Sequence, residues 1–266
     1  MAGGQMKVIR VELDKNKLLA LPQSEATFFL SLGHVCNEIN AVTKLLFWSS
    51  NYKTEGEAEE HGQFALSLYL TRVLAGHLYE AWEFLRKDYF SASDSSTTPI
   101  AKVYAPLLDP EATADMDVLK SYFDQANNLC RQVRNRIAFH FSATDITGLL
   151  PLVQEKLIAY MEREVAPNNL FHYSELLVAE ALEQIMVEAS RTLTYGALYD
   201  ELFRVAARFV RVSDGLMEAL VKKHDLRVDG VQPQEVKFQN IRPFSSIDIP
   251  WFSNADLDAD NSTQSA

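Results

Sequence analysis

Apolar residues recur every three or four positions through most of this chain, and polar residues fill the positions between them. That spacing places the apolar side chains on one face of a helix, so it predicts amphipathic helices. The pattern therefore predicts a mainly α fold, a helical bundle. The predicted helices cover residues 24–50, 57–90, a segment from about 111 through an arginine cluster near 134, and residues 150–164, 174–190 and 196–224.

The first twenty residues follow a different pattern. Residues 7–13, Lys-Val-Ile-Arg-Val-Glu-Leu, are rich in β-branched apolar residues and predict a short strand. Residues 14–17 are typical of a turn, and residues 18–21 form the predicted partner strand. A two-stranded hairpin is marginally stable alone, so the sequence predicts a short N-terminal β-hairpin that packs on the helices.

The last forty residues lose the helical spacing. Residues 249–252 are apolar enough to dock on the surface of the bundle. After Arg242 the chain has no Lys or Arg, and Asp256, Asp258 and Asp260 follow. Low hydrophobicity with charge of one sign is typical of disorder. We therefore expect one helical domain over residues 1–252 and a disordered, irregular acidic tail over residues 253–266.

The overall charge restricts the classes of function. The chain has 25 Lys and Arg against 36 Asp and Glu, a net charge of -11, which argues against non-specific coating of nucleic acid or membranes. No apolar run reaches the ~20 residues of a membrane span, and the N-terminus lacks a signal-peptide core. We therefore expect a cytoplasmic protein. In that compartment Cys36 and Cys130 are expected to be buried free thiols rather than a disulfide.

One segment contrasts with this acidic composition, since no Asp or Glu occurs between Asp124 and Asp145. Three arginines, an asparagine and a histidine lie there instead. A guanidinium holds phosphate oxygens in a fork, and an imidazole takes up and releases protons near neutral pH. The segment is therefore the candidate site for handling a phosphodiester. Its residues are Arg131, Arg134, Asn135, Arg136 and His140.

On an ideal helix the apolar residues of this segment form one stripe. Arg134 lies about 60° to one side of Ile137 and His140 about 60° to the other, so the two do not meet easily within one chain. If the stripe packed against a second copy, Arg134 of one protomer would approach His140 of the other. We therefore expect a homodimer. The stripe consists of Cys130, Val133, Ile137 and Phe141.

The order of these polar residues resembles the motif of the HEPN superfamily (higher eukaryotes and prokaryotes nucleotide-binding). In both, an Arg is followed directly by a polar residue and then by a His, here Arg134, Asn135 and His140 with five positions between the Arg and the His. The resemblance covers seven residues and implies an HEPN-like helical bundle over residues 24–165. Many members are dimeric, metal-independent endoribonucleases that act as toxins or in phage defence.

The resemblance also implies a role for each residue. His140 would deprotonate the ribose 2′-OH or protonate the leaving oxygen, Arg134 would stabilise the phosphorane charge, and Asn135 would orient one of them. Arg131 and Arg136 would bind the RNA backbone. The reaction would leave a 2′,3′-cyclic phosphate without a metal or a cofactor. The implied partners are RNA, a second copy of the chain, and an antitoxin or another protein.

The same residues also fit a noncatalytic protein, either a helical adaptor or a degenerate HEPN member. Because His140 lies between Phe139 and Phe141, it is also typical of a core or interface histidine, and arginines often extend from the edge of an apolar stripe. A protein of this charge repels RNA at long range unless a local basic cleft offsets the repulsion. Other enzyme classes are disfavoured, since the chain has no Walker A loop, Gly-x-Gly-x-x-Gly, Gly-x-Ser-x-Gly or His-Glu-x-x-His motif.

Overall fold

Helices dominate the structure of this chain, and the predicted mainly α fold is confirmed. The computed structural model describes residues 6–91, 98–138, 146–154, 156–162, 168–189, 194–238 and 242–253. The expected tail after residue 253 lies outside this part of the chain. The helices are α1 (Lys15–Leu19), α2 (Gln23–Ser50), α3 (Glu57–Phe84), α4 (Ile100–Tyr104), α5 (Pro110–Asp124), α6 (Leu129–Val133), α7 (Ile146–Leu149), α8 (His172–Glu188) and α9 (Tyr195–Lys223).

The three longest helices form the centre of the fold. Helix α2 packs against α3 and α9, and α5 packs along α9. Leu32 and Ile39 of α2 and Leu74 and Leu78 of α3 are almost completely buried at the helical spacing that the sequence shows. Helices α6 and α8 both lie against α3. This packing places the arginine-rich segment at the edge of the main core.

The predicted N-terminal hairpin is wrong, although its first strand exists. Strand β1 (Met6–Arg10) pairs antiparallel with β2 (Gln234–Phe238), which lies near the other end of the chain. The predicted partner strand overlaps helix α1 instead. The Asp14 carboxylate accepts a hydrogen bond of 2.7 Å from the backbone N–H of Asn16, so it caps α1. Residues 15–19 therefore form a helix where the predicted turn and partner strand would lie.

Two further predicted helices are interrupted. Residues 125–128 separate α5 from α6, and Asn128 starts α6 because its Oδ1 accepts a bond of 2.9 Å from the backbone N–H of Arg131. The helix predicted over residues 150–164 is wrong. A 3₁₀ turn at Leu150–Leu152 is followed by irregular chain, and Tyr160 forms an isolated antiparallel bridge with Leu170. Pro151 lacks a backbone N–H, which favours a short turn over a continued helix.

The apolar residues near the C-terminus dock on the bundle, as expected. Trp251 and Phe252 lie over Gly62 of α3, where a Cβ would come within 2.7 Å of Trp251 Cβ. The Phe252 ring also contacts the ring of Tyr160 at 6.0 Å between centroids. Because any side chain at position 62 would collide with Trp251, the close approach of Trp251 to α3 requires Gly62. Among the described residues, no helix is long and apolar enough to cross a bilayer.

Candidate functional site

The arginine-rich segment changes helix type in the middle. Helix α6 ends at Val133 and continues as a π-helical turn over Arg134–Ala138. The helical angles predicted from the sequence assume 100° per residue, and a π turn has more residues per turn because its bonds run from i to i+5. The predicted angles therefore do not apply after Val133. Turns of this type are rare and are found frequently at functional sites.

The apolar stripe of this segment faces the chain's own core. Cys130 and Val133 are fully buried and Ile137 is 5% exposed, because the segment packs against α3 and α8. Phe141 lies outside the described residues. The sequence-based interpretation that this stripe forms a seam with a second copy is therefore wrong for its first three residues. An interface near Arg134 would have to use the polar side of the segment.

Arg134 lies at the rim of the core and has three neighbours. Its Nε donates a hydrogen bond of 2.7 Å to Glu80 Oε1 of α3, and its Nη1 donates one of 3.2 Å to Asn135 Oδ1. Its guanidinium carbon lies 5.9 Å from the centre of the Tyr79 ring, within the range of a cation–π contact. The side chain is 34% exposed. Arg134 is thus oriented by neighbours and still open to solvent.

The other two arginines have different surroundings. Arg136 Nη1 lies 2.6 Å from Glu188 Oε2 at the end of α8. Arg131 is exposed near Glu83 of α3. The hydrogen bond that Glu83 accepts from Arg86 lowers the pKa of Glu83, and the charge of Arg131 adds a smaller effect in the same direction. We refer to this surface as the arginine face. It comprises Glu80, Glu83, Arg131, Arg134, Asn135, Arg136 and Glu188.

The carboxylates of the arginine face largely offset its positive charge. Glu80 and Glu188 come from α3 and α8, so the absence of acids within the segment itself does not produce an isolated basic patch. Each exposed pair contributes only about 0–1 kcal/mol. A phosphate can accept two bonds from the guanidinium fork, whereas Glu80 accepts one from Nε, so a phosphate can displace Glu80.

The structure brings some of the predicted site residues together. Arg134 and Asn135 are in direct contact, and Arg131 and Arg136 lie on the same short segment. His140 lies outside the described residues. Sequence reasoning missed Tyr79, Glu80 and Glu188, because nothing in a single sequence links helix α3 or α8 to the arginines.

The thiol of this segment, Cys130, is a poor candidate for a nucleophile. Burial raises the pKa of the Cys130 thiol to about 12, so it stays protonated and is a poor nucleophile. Its neighbour Tyr122 donates a hydrogen bond of 2.9 Å to Glu201 Oε1, and burial raises the pKa of that phenol as well. Cys36 is also a free thiol, half-buried on α2. Within the described residues no group of three or more His, Cys, Asp or Glu side chains is arranged to hold a metal ion.

Comparison of the chain with protein-family models, with curated proteins and with solved structures finds no match.

Proposed function

We propose that this protein is a metal-independent endoribonuclease of HEPN type that acts in the cytoplasm as a toxin or in phage defence. The observation that carries the proposal is the setting of Arg134. Its side chain is partly exposed at the rim of the core, and its guanidinium contacts Asn135 directly and is held by an exposed carboxylate that a phosphate can replace. This arrangement suits a residue that binds an anionic transition state.

The proposed reaction requires a base, an acid and a cation. His140 takes the proton of the ribose 2′-OH, and the 2′-oxygen then forms a bond to phosphorus as the bond to the 5′-oxygen breaks. In this role water protonates the departing 5′-oxygen. In the alternative role, His140 protonates the 5′-oxygen and water accepts the proton of the 2′-OH. Arg134 stabilises the charge on the non-bridging oxygens, and Asn135 orients the guanidinium through its 3.2 Å contact. The products are a 2′,3′-cyclic phosphate and a 5′-hydroxyl.

A second copy of the chain remains part of the proposal, with a changed interface. Because Cys130, Val133 and Ile137 are buried within one chain, the contact would involve the polar side of the segment, such as the exposed Asn135. In the proposed dimer, Arg134 of one protomer approaches His140 of the other. In this arrangement Arg136 and Arg131 bind flanking phosphates, as the resemblance implies.

A noncatalytic helical interaction protein is the second candidate, and one observation favours it. Arg134 and Arg136 each pair with a carboxylate of another helix, Glu80 or Glu188. Two such pairs are also expected if the arginines only hold the π turn against α3 and α8. In that case the segment is a structural edge of the bundle, or a degenerate HEPN site that has lost its chemistry.

Incubation of single-stranded RNA with the protein in EDTA distinguishes the two candidates. We expect fragments with 2′,3′-cyclic ends, and we expect His140→Ala and Arg134→Ala to slow cleavage by a factor of about 100 or more. His34→Ala is the matched histidine control, because the His34 side chain is 73% exposed on α2. Arg204→Ala replaces an exposed arginine of α9. Equal cleavage by all four variants would contradict the proposal, and loss of cleavage in EDTA would contradict its metal-independent form.

A further inference from the structure

A cavity of about 400 Å³ opens between the start of α2 and the end of α3. One side is the face of α2 that carries hydroxyl groups at helical spacing. The other side is the π-helical turn Leu85–Phe90 that continues α3. Its volume falls within the range of about 300–1,000 Å³ that is usual for ligand pockets. The polar and aromatic residues used below are Ser24, Thr27, Ser31, Phe84, Lys87 and Asp88.

The lining combines three kinds of group that a nucleotide needs. The Phe28 and Phe84 rings both border the cavity and stack on each other, with centroids 5.4 Å apart and planes 10° apart. They provide a supported aromatic wall on which a base can stack. Lys87 supplies a cation for a phosphate, and Asp88 supplies an acceptor for a sugar hydroxyl.

The cavity lies along the same helix as the arginine face. Phe84 follows Glu80, the partner of Arg134, by four residues, so the two share one face of α3. Lys87 lies beyond Phe84 in the π-helical turn. With a rise of about 1.5 Å per residue, Phe84 is displaced from Glu80 by about 6 Å along the helix. Stacked nucleotides of one strand are about 3.4 Å apart, so Phe84 lies about two nucleotides from Glu80 and Lys87 lies further along.

We infer that this cavity binds one base of a single-stranded RNA, two or three nucleotides from the phosphate held by Arg134. This inference rests on the proposed function. The base of this nucleotide stacks on Phe84. The 2′-hydroxyl of its ribose donates a hydrogen bond to Asp88, and Lys87 binds the adjoining phosphate. The cavity then contributes to affinity and to the position of the strand, whereas the chemical step stays at the arginine face.

Filling the cavity tests the inference in a His140→Ala background, where bound RNA is not cut. Thr27→Trp places a large ring in the cavity, and Leu30→Trp is the matched control, since Leu30 is 59% exposed on the same helix and does not line the cavity. We expect Thr27→Trp to raise the Kd for a fluorescent RNA of ten nucleotides by a factor of about 5–150, the value of one stacked base. Leu30→Trp should leave it unchanged. Circular dichroism and thermal melting establish that both variants are folded.

The salt dependence of binding tests the role of Lys87. Removal of one phosphate contact should lower the slope of log K against log salt by about 0.7 for a single strand. We expect this change for Lys87→Ala and none for Lys44→Ala, which removes an exposed lysine elsewhere on α2. In the His140→Ala background, an RNA with an abasic site two or three nucleotides from the cut should bind more weakly than the intact RNA. With Thr27→Trp added, the two RNAs should bind equally, because the cavity is already filled.

The outcomes separate this inference from the proposed function. If the protein cleaves RNA but Thr27→Trp and Lys87→Ala bind it like their controls, the cavity is not a base site and the nuclease proposal stands. If the variants lose affinity but the parent protein does not cleave RNA, the base site stands and the nuclease proposal fails. Absence of RNA binding by the His140→Ala protein overturns the inference. Binding of adenosine monophosphate alone, with no effect of Thr27→Trp on RNA, also overturns it.

Discussion

Replacement of Glu80 by Gln tests whether Arg134 exchanges a carboxylate for a phosphate. The substitution keeps the size of the side chain and removes the negative charge that lies 2.7 Å from Arg134 Nε. If RNA binds at Arg134, it must displace this carboxylate. We therefore expect Glu80→Gln to bind RNA more tightly than the parent protein.

The magnitude follows from the exposure of the pair. The Arg134 side chain is 34% exposed and that of Glu80 is 52% exposed, so breaking the pair costs about 0–1 kcal/mol. A phosphate about 5 Å from the carboxylate would also be repelled by about 0.8 kcal/mol in water, and salt reduces this value. A combined gain of about 1–1.4 kcal/mol lowers the Kd by a factor of about 5–10.

The assay is fluorescence anisotropy of a labelled single-stranded RNA at fixed ionic strength, again in the His140→Ala background. Glu218→Gln is the matched control, since the Glu218 carboxylate is about as exposed as that of Glu80 and pairs with Lys222 of α9 at 2.6 Å. The control changes the net charge by the same amount, so it should shift the Kd less than twofold. Weaker or unchanged binding by Glu80→Gln would refute the exchange of anions at Arg134.

Two further predictions concern stability. The hydrogen bonds that Asp115 accepts from Arg211 and then Arg208 lower its pKa, so its stabilising effect is present above about pH 4 and is lost as the pH falls through the pKa in the folded state. Urea unfolding should show Asp115→Asn about 1–3 kcal/mol less stable at pH 7, with a difference that narrows as the pH is lowered below about 4; a difference that grows in acid would contradict this reasoning. Gly62→Ala should destabilise by about 1–3 kcal/mol and expose Trp251 to fluorescence quenchers, because the new Cβ meets that ring. Gly196→Ala, which meets nothing within 4 Å, should not destabilise, and equal effects of the two alanines would refute the contact.

The long helices were predictable because their information is local. The apolar spacing predicts a helix over residues 24–50 where α2 covers Gln23–Ser50, and one over residues 196–224 where α9 covers Tyr195–Lys223. Each helix repeats its apolar face over many turns, so an error at one position changes little. Segments shorter than two turns carry no such repetition. This is why α6 and the π turn after it were predicted as a continuation of one helix.

The incorrect strand pairing has a different cause. The β-branched residues of β1 predict a strand, but they do not specify which second strand pairs with it. The structure pairs β1 with β2, so that Val8 lies opposite Val236. Strand pairing depends on contacts between distant parts of the chain, which no window of one sequence contains. The cap at Asp14 was the one local signal against a hairpin, because Asp is a preferred first residue of a helix.

The arginine face shows why charge along a chain does not determine the charge of a surface. Residues 125–144 contain no acid, so the sequence predicts a basic patch on an acidic protein. The fold places Glu80 beside Arg134 and Glu188 beside Arg136, across 54 and 52 positions of sequence. Any phosphate that binds at Arg134 must therefore replace an anion that is already there. The local part of the affinity then depends on how much more strongly the guanidinium fork holds a phosphate than one exposed carboxylate.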